Sequence, residues 1–211
     1  NNRIFATQGL FASATASLSG GLRTGEDEVT SLFGGDFNFV ETLLNVRYYQ
    51  PLIPDSDQLV FRFNSTYGAV ESTDGRIVPF IHRYRAGGIN SVRGYDWFSL
   101  GPAMRLVASD DPIRADDKVP VGGNRTFINN IEIEAPIVRA AGIHTVLFFD
   151  AGNAFGDPLG LEKVAPWEIG GVLRYSYGAG VRWRSPIGPL RFEYGIPIQP
   201  RDDEKRGVFD F

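Results

Sequence analysis

The stretch from residue 173 to residue 198 reads LRYSYGAGVRWRSPIGPLRFEYGIPI and decides the fold. Up to Arg184, an apolar or aromatic residue occupies nearly every second position, and arginine, serine or glycine stands between them. After the turn at 185–188 the alternation resumes from Leu190. A period of two places alternate side chains on opposite faces of a β-strand. The stretch therefore predicts two antiparallel strands joined by a tight turn.

The two faces of these strands favour a membrane barrel over a soluble sandwich. The polar face of a soluble sheet meets water and is rich in Lys, Glu and Thr, whereas here it carries Arg, Glu, Ser and Gly. A lipid-facing band has aromatic residues at its interfaces, and the candidates for that position are Tyr48, Tyr49, Tyr67, Tyr175, Trp183 and Tyr194. The pattern indicates apolar side chains facing lipid and polar side chains facing a lumen.

The same alternation along the whole chain predicts eight strands and no helix. Their expected bounds are 3–21, 36–52, 58–71, 125–138, 143–155, 169–184, 189–198 and 205–211. The connections at 53–57, 139–142 and 185–188 are short, and those at 22–35, 72–124, 156–168 and 199–204 are mostly longer. Outer-membrane barrels place short turns at the periplasmic rim. We therefore expect an all-β, antiparallel transmembrane β-barrel, one domain over 1–211, in the bacterial outer membrane with both termini periplasmic.

Composition excludes several other classes. No apolar run of about 18 residues exists, which argues against a transmembrane helix. The net charge of −4 gives no electrostatic reason to expect nucleic acid as a partner. The absence of cysteine is compatible with an oxidising compartment. The chain starts at Asn1 without an initiator Met or an apolar signal segment, so a processed product or an excised piece is expected.

The connection at 72–124 is too long for an ordinary turn, and unstructured loops of that length are usually functional or disordered. It contains aromatic and aliphatic residues among several glycines, a composition that packs against something. It includes the stretches HRYRAGG at 82–88, SVRGY at 91–95 and VGGN at 121–124, and the chain continues with FFDAGN at 148–153 and SPIGPL at 185–190. In order and spacing, these five stretches resemble the BamA-type outer-membrane protein assembly family, which includes TamA and the two-partner secretion transporters.

The resemblance implies a barrel of about sixteen strands preceded by periplasmic POTRA domains, of which this chain looks like only the C-terminal half of the barrel. In that family the loop arginine reaches into the lumen and pairs with acidic wall residues. Carried over by motif, the loop anchor comprises Val92, Arg93, Gly94 and Tyr95, and the wall partners are Glu132 and Asp150. Such a pairing would be a charge-assisted clamp on the loop.

This expectation conflicts with the strand count, because side chains fill the interior of a closed barrel of about eight strands. Three arrangements stay open. The loop covers the mouth, two copies associate through their edges into a wider barrel, or a narrow lumen is packed with ion pairs among its own charged residues. The polar-face candidates for the third are Glu41, Arg47, Arg62, Glu134, Arg174, Arg182, Arg191 and Glu193.

Other features point to no enzyme, cofactor or metal. The acidic stretch 109–118 lacks the ligand spacing of an EF-hand, so a solvated loop is favoured over a divalent-cation site. His82 and His144 are the only histidines, and neither a G-x-S-x-G nor an H-E-x-x-H motif occurs. At the chain end, Phe209 and Phe211 resemble the sorting signal of outer-membrane barrels; an interfacial aromatic is the simpler alternative.

Three functions remain at this point. The resemblance implies a non-enzymatic barrel in the lipid bilayer that assists insertion of unfolded outer-membrane protein clients or polypeptide translocation, with homodimerisation through barrel edges as an option. The second is a structural or reduced barrel that keeps the fold without assembly activity. The third is a soluble lipocalin-like binder, against which the Arg- and Gly-rich polar face argues.

Overall fold

A computed structural model of the chain describes residues 6–23, 29–31, 37–54, 58–105, 118–156 and 173–211. In chain order the strands are β1 (Gly9–Ser19), β2 (Gly21–Arg23), β3 (Val29–Ser31), β4 (Phe39–Pro51), β5 (Val60–Ser72), β6 (Ala103–Arg105), β7 (Lys118–Pro120), β8 (Arg125–Val138), β9 (Ile143–Phe155), β10 (Arg174–Ser185), β11 (Gly188–Ile198) and β12 (Val208–Asp210). Two short 3-10 helices span Phe80–His82 and Arg139–Ala141. In these parts of the chain, no helix is long and apolar enough to cross a membrane.

Eight strands form one antiparallel sheet in the order β1-β4-β5-β8-β9-β10-β11-β12. They correspond to the eight predicted strands, and β8 and β9 have the predicted bounds. The first strand begins only at Gly9, and the last has three residues. The predicted segments 3–5 and 169–172 lie outside the described residues.

Two of the predicted connections, 22–35 and 72–124, contain additional strand pairs, β2 with β3 and β6 with β7. Each of these strands has three residues. Three residues are too few to establish a period-two pattern, because a single side chain then represents one of the two faces. The pairs therefore left no recognisable signal in the sequence.

The sheet has a polar, covered inner face and an apolar, exposed outer face. Strand β9 illustrates the alternation, because Val146, Phe148 and Asp150 are buried on the inner face. Between them, Leu147 and Phe149 point outward, and Leu147 is 57% exposed. An exposed apolar face on many neighbouring strands is the arrangement that a lipid environment requires. The predicted division into an apolar outer and a polar inner face is thus present.

The long connection between β5 and β8 covers the inner face and forms the core together with it. One cluster joins Ala86, Val92, Tyr95 and Leu100 of the connection to Ile128 of β8. A second cluster joins Val78 of the connection to inner residues of β4 and β5. The loop therefore packs as part of the fold, as its composition predicted.

The sheet is open, which removes the conflict between strand count and lumen width. Within the described residues, no ladder joins β12 back to β1. A closed barrel of about eight strands would have had no room for the loop, but an open sheet leaves its inner face accessible to residues 73–102. The loop accordingly lies against the wall instead of above a closed mouth.

Candidate functional site

Backbone hydrogen bonds fold the loop upon itself and bring its signature sequence to the wall. The amide of Ala86 donates to the carbonyl of Leu100 at 3.1 Å, and the reverse bond measures 2.9 Å. Further in, the amide of Gly88 donates to Val92 at 3.2 Å. Gly87 and Gly88 both have positive φ, which glycine adopts without strain. These tight turns place Arg93 deep on the inner face.

Arg93 forms a bidentate salt bridge with Asp150 of β9. Its Nε donates to Asp150 Oδ2 at 2.7 Å, and its Nη2 donates to Oδ1 at 2.7 Å. The backbone amide of Arg93 adds a third bond to Oδ2 at 3.0 Å. Arg93 is 2% exposed and Asp150 is fully buried. Paired, charge-assisted bonds of this kind fix both the distance and the orientation of the two groups.

The remaining guanidinium nitrogen of Arg93, Nη1, connects two further strands. Its Nη1 donates to Glu132 Oε1 of β8 at 2.7 Å and to Glu193 Oε2 of β11 at 2.9 Å. The guanidinium also lies over the Phe148 ring, 3.6 Å from its centroid. Burial alone would lower the pKa of Arg93, but the bonds and the charges of the three carboxylates raise it above its ordinary value. The group is therefore a permanent cation that links the loop to β8, β9 and β11.

A second arginine extends this cluster. Arg182 of β10 donates to Glu132 Oε1 at 2.7 Å and from its Nε to Glu193 Oε1 at 2.8 Å. Glu132 is thus shared between two guanidinium groups, and Glu193, which also accepts from Arg191, is shared between three. Asn130 supports the arrangement, donating to Asp150 Oδ1 at 2.8 Å and to the Ser91 carbonyl at 2.7 Å. Buried charges are tolerated when they are paired and hydrogen-bonded in this manner.

The structure brings together all three acidic and basic residues of the predicted anchor, namely Arg93, Glu132 and Asp150. Sequence reasoning did not assign Glu193, the third carboxylate on Arg93, to the anchor. Its position on the polar face of its strand was the sequence signal that could have identified it as a candidate partner. The same signal was available for Asn130, which lies on the same face as Glu132.

The other three residues of the predicted anchor fit closely against the sheet. Gly94 has φ +85°, and a Cβ added there would lie 2.8 Å from the backbone carbon of Gly195. Val92 is fully buried beside Gly152 of β9. The Tyr95 hydroxyl donates to the carbonyl of residue 175 at 3.0 Å. Paired glycines therefore allow the loop backbone to touch the strand backbone.

A second attachment holds the beginning of the loop to the opposite half of the sheet. The Tyr84 hydroxyl donates to Glu41 Oε1 of β4 at 2.9 Å, and its ring lies directly on the backbone of Gly68 in β5. Burial, reinforced by the bond to Glu41, raises the pKa of Tyr84, so the phenol stays a neutral donor. The backbone of Tyr84 also exchanges hydrogen bonds of 2.9 and 2.8 Å with Gly123. The loop is thus attached on both sides of the inner face.

The remaining sites considered in the sequence are the two terminal phenylalanines, the acidic stretch and the two histidines. Phe209 lies 58% exposed on the outer face and Phe211 is 87% exposed, with their ring centroids 6.4 Å apart; a sorting role for them stays a prediction. Residues 109–117 of the acidic stretch lie outside the described residues. Over the described ranges, no group of three His, Asp or Glu side chains has a metal-binding arrangement. His82 approaches Glu41 and His144 approaches Glu134, in separate places.

The sequence matches the Omp85 superfamily domain over residues 1–211. A curated relative, the outer membrane protein assembly factor BamA of Nitratidesulfovibrio vulgaris (strain Hildenborough), is 32% identical over 180 residues, which are 84% of this chain and 20% of the relative. The sorting and assembly machinery component 50 homolog of Mus musculus is 26% identical over 81% of this chain and 35% of its own length. None of these names describes an enzyme.

A solved structure has the same fold. BamA from Haemophilus ducreyi, in a form lacking POTRA domains 1–3, superimposes with a TM-score of 0.75 at 26% sequence identity. The superposition covers 99% of this chain and 39% of that one. The chain therefore spans well under half of the proteins it matches.

Proposed function

Because the chain belongs to the Omp85 superfamily, we propose that it is part of an outer-membrane β-barrel that assists insertion of other outer-membrane proteins or translocation of polypeptides. Membership confirms the family resemblance that the loop signature predicted. The relative of Nitratidesulfovibrio vulgaris is named as an outer membrane protein assembly factor. The location in the outer membrane follows from the same kinship and from the exposed apolar outer face.

The observation that carries the proposal is the buried attachment of the loop through Arg93. Four strands supply its immediate environment, with Asp150 and Phe148 on β9, Glu132 on β8, Glu193 on β11 and Arg182 on β10. A structural barrel needs no such charged connection, since apolar packing stabilises a fold at lower cost. We interpret the anchor as the element that sets the position of the loop, and through it the position of β11.

The proposed mechanism uses the edges of the sheet. Unpaired strand edges offer amide and carbonyl groups to another chain, and β1 and β12 occupy the two ends of the strand order. Clients would be unfolded outer-membrane proteins whose strands pair with such an edge, helped by local thinning of the bilayer. Association of two copies through these edges is an alternative use of the same surface.

Client folding in liposomes tests this function. We expect liposomes containing the protein to fold an added outer-membrane protein client several-fold faster than empty liposomes, and we expect Arg93→Ala to abolish the acceleration. Arg47→Ala serves as the matched control, because Arg47 lies exposed on the inner face of β4 away from the anchor. Equal client folding in empty and protein-containing liposomes would contradict the proposal and favour the structural barrel.

A further inference from the structure

Three asparagines and one aspartate form a continuous hydrogen-bonded row across the inner face. Asn45 lies on β4, Asn64 on β5, Asn130 on β8 and Asp150 on β9, and these four strands are neighbours in the sheet. In the ladders, Asn64 stands opposite Asn130, and Asn130 stands opposite Asp150. With neighbouring strands about 4.8 Å apart, the row spans about 14 Å. We refer to Asn45, Asn64 and Asn130 as the asparagine row.

The bonds along the asparagine row all run in the same direction. The Nδ2 atom of Asn45 donates to Asn64 Oδ1 at 2.9 Å, and Asn64 Nδ2 donates to Asn130 Oδ1 at 3.0 Å. Asn130 Nδ2 then donates to Asp150 Oδ1 at 2.8 Å. Asn64 and Asn130 each accept one bond and donate the next, and hydrogen bonds in such a chain polarise and strengthen one another. The bond to Asp150 is therefore supported by residues farther along the row.

The row ends at the carboxylate that holds Arg93. Asp150 Oδ1 accepts from Asn130 and, at 2.7 Å, from Arg93 Nη2. The last side-chain torsion of an aspartate is broad, whereas a bidentate pair needs the carboxylate and the guanidinium in one relative orientation. Asn130 restricts this torsion from the wall side, and it also donates to the Ser91 carbonyl of the loop at 2.7 Å. A residue that orients Asn130 therefore also orients the anchor.

The other end of the row lies beside the edge of the sheet. Asn45 is 9% exposed, and its Nδ2 atom also donates to Thr66 Oγ1 at 2.8 Å, so its position is closely defined. The ladder places Asn45 opposite Ser13 of β1, the strand at one end of the strand order. Because hydrogen bonds weaken steeply when they are bent below about 120°, a twist of β4 would weaken the bond from Asn45 to Asn64. The row thus connects the edge of the sheet physically to the loop.

We propose that Asn64 is a positioning residue of the loop anchor: acting through Asn130, it orients Asp150 and so holds Arg93 and the loop backbone in place. Asn45 acts in the same way from one strand farther away. A change at the β1 edge, such as pairing with a client strand, is then transmitted along the row to the loop; this last step rests on the proposed function. The positioning of the anchor does not rest on it and can be tested without a client.

Hydrogen exchange at the backbone amide of Arg93, in the full chain folded in detergent, tests the positioning, because this amide donates to Asp150 Oδ2 at 3.0 Å. We expect Asn64→Ala to speed its exchange about tenfold, the effect of losing about one hydrogen bond, and Asn130→Ala to speed it at least as much. The double variant should exchange no faster than Asn130→Ala alone, since the row is then already interrupted. Amides in β9 and β10 should keep their wild-type protection, which a general loss of stability would lower.

Thr66→Ala is the matched control. Thr66 accepts from Asn45 on the same strand and face as Asn64 but stands opposite Ile128, outside the row, so its replacement should change the exchange of the Arg93 amide by no more than about twofold. Heat-modifiable migration in gels verifies that each variant is folded. If Asn64→Ala does not fold, Asn45→Ala replaces it, with a smaller acceleration expected. Unchanged exchange of the Arg93 amide, effects that multiply in the double variant, or equal acceleration by Thr66→Ala would overturn the proposal.

Discussion

Replacing Arg93 by alanine is expected to lower the free energy of unfolding by about 3–5 kcal/mol, the usual cost of leaving a buried charge without its partner. Asp150 accounts for most of this loss, because it is fully buried, would lose its partner cation, and would retain only the hydrogen bonds from Asn130 and from the backbone amide of residue 93. Glu132 and Glu193 would still form salt bridges with Arg182. Urea titration in detergent, followed by tryptophan fluorescence, measures the change.

Two companion variants make this result interpretable. Arg47→Ala, on the exposed part of the inner face, is expected to change the free energy of unfolding by no more than about 0.5 kcal/mol. Arg93→Ala combined with Asp150→Ala should be less destabilised than the sum of the single variants, since neither charge is then left alone. Strict additivity would show that the two side chains do not interact.

Replacing Gly94 by alanine is expected to lower the free energy of unfolding by about 2–4 kcal/mol. Roughly 1 kcal/mol comes from the positive φ of +85°. The rest, about 1–3 kcal/mol, comes from the added Cβ, which would lie 2.8 Å from the backbone of Gly195. Neither backbone can move aside easily, because Arg93 fixes one and the sheet fixes the other. The same urea titration measures the loss.

Gly75→Ala separates the two contributions. Gly75 has φ +75°, close to that of Gly94, but an added Cβ there would meet no atom within 4 Å. Its replacement by alanine should therefore lower the free energy of unfolding only by the contribution of the positive φ, about 1 kcal/mol. If the two alanine variants were equally stable, the close contact between Gly94 and Gly195 would not exist in the folded protein.

Much of the fold was predictable because each long strand shows its two faces directly in the sequence. The alternation at 173–198 indicated strands β10 and β11 and their tight turn, and the structure has both. Closure of the sheet was not predictable. It depends on strand tilt and stagger, and no local pattern in a sequence reports these quantities.

The candidate site was only partly predictable. The loop signature identified Arg93 and two of its carboxylates by family resemblance, without any geometry. The period-two pattern placed Arg182, Arg191 and Glu193 on a polar face but not their pairing, which depends on register. Arg182 stands directly opposite Arg191 in the β10–β11 ladder, so Arg182 reaches Glu193 diagonally across the ladder, and Arg191 reaches it along its own strand. The contacts of Arg93 depend in addition on the path of the loop, which follows from long-range packing.

Hydrogen exchange of the loop tests most directly the central claim that residues 86–100 lie fixed on the inner face. The amides of Ala86, Gly88, Arg93 and Leu100 all donate hydrogen bonds, so we expect protection in the folded protein comparable to that of β8 and β9. In Arg93→Ala the loop amides should exchange much faster while the strands stay protected. Exchange of the wild-type loop at the rate of an unstructured peptide, beside protected strands, would contradict the account.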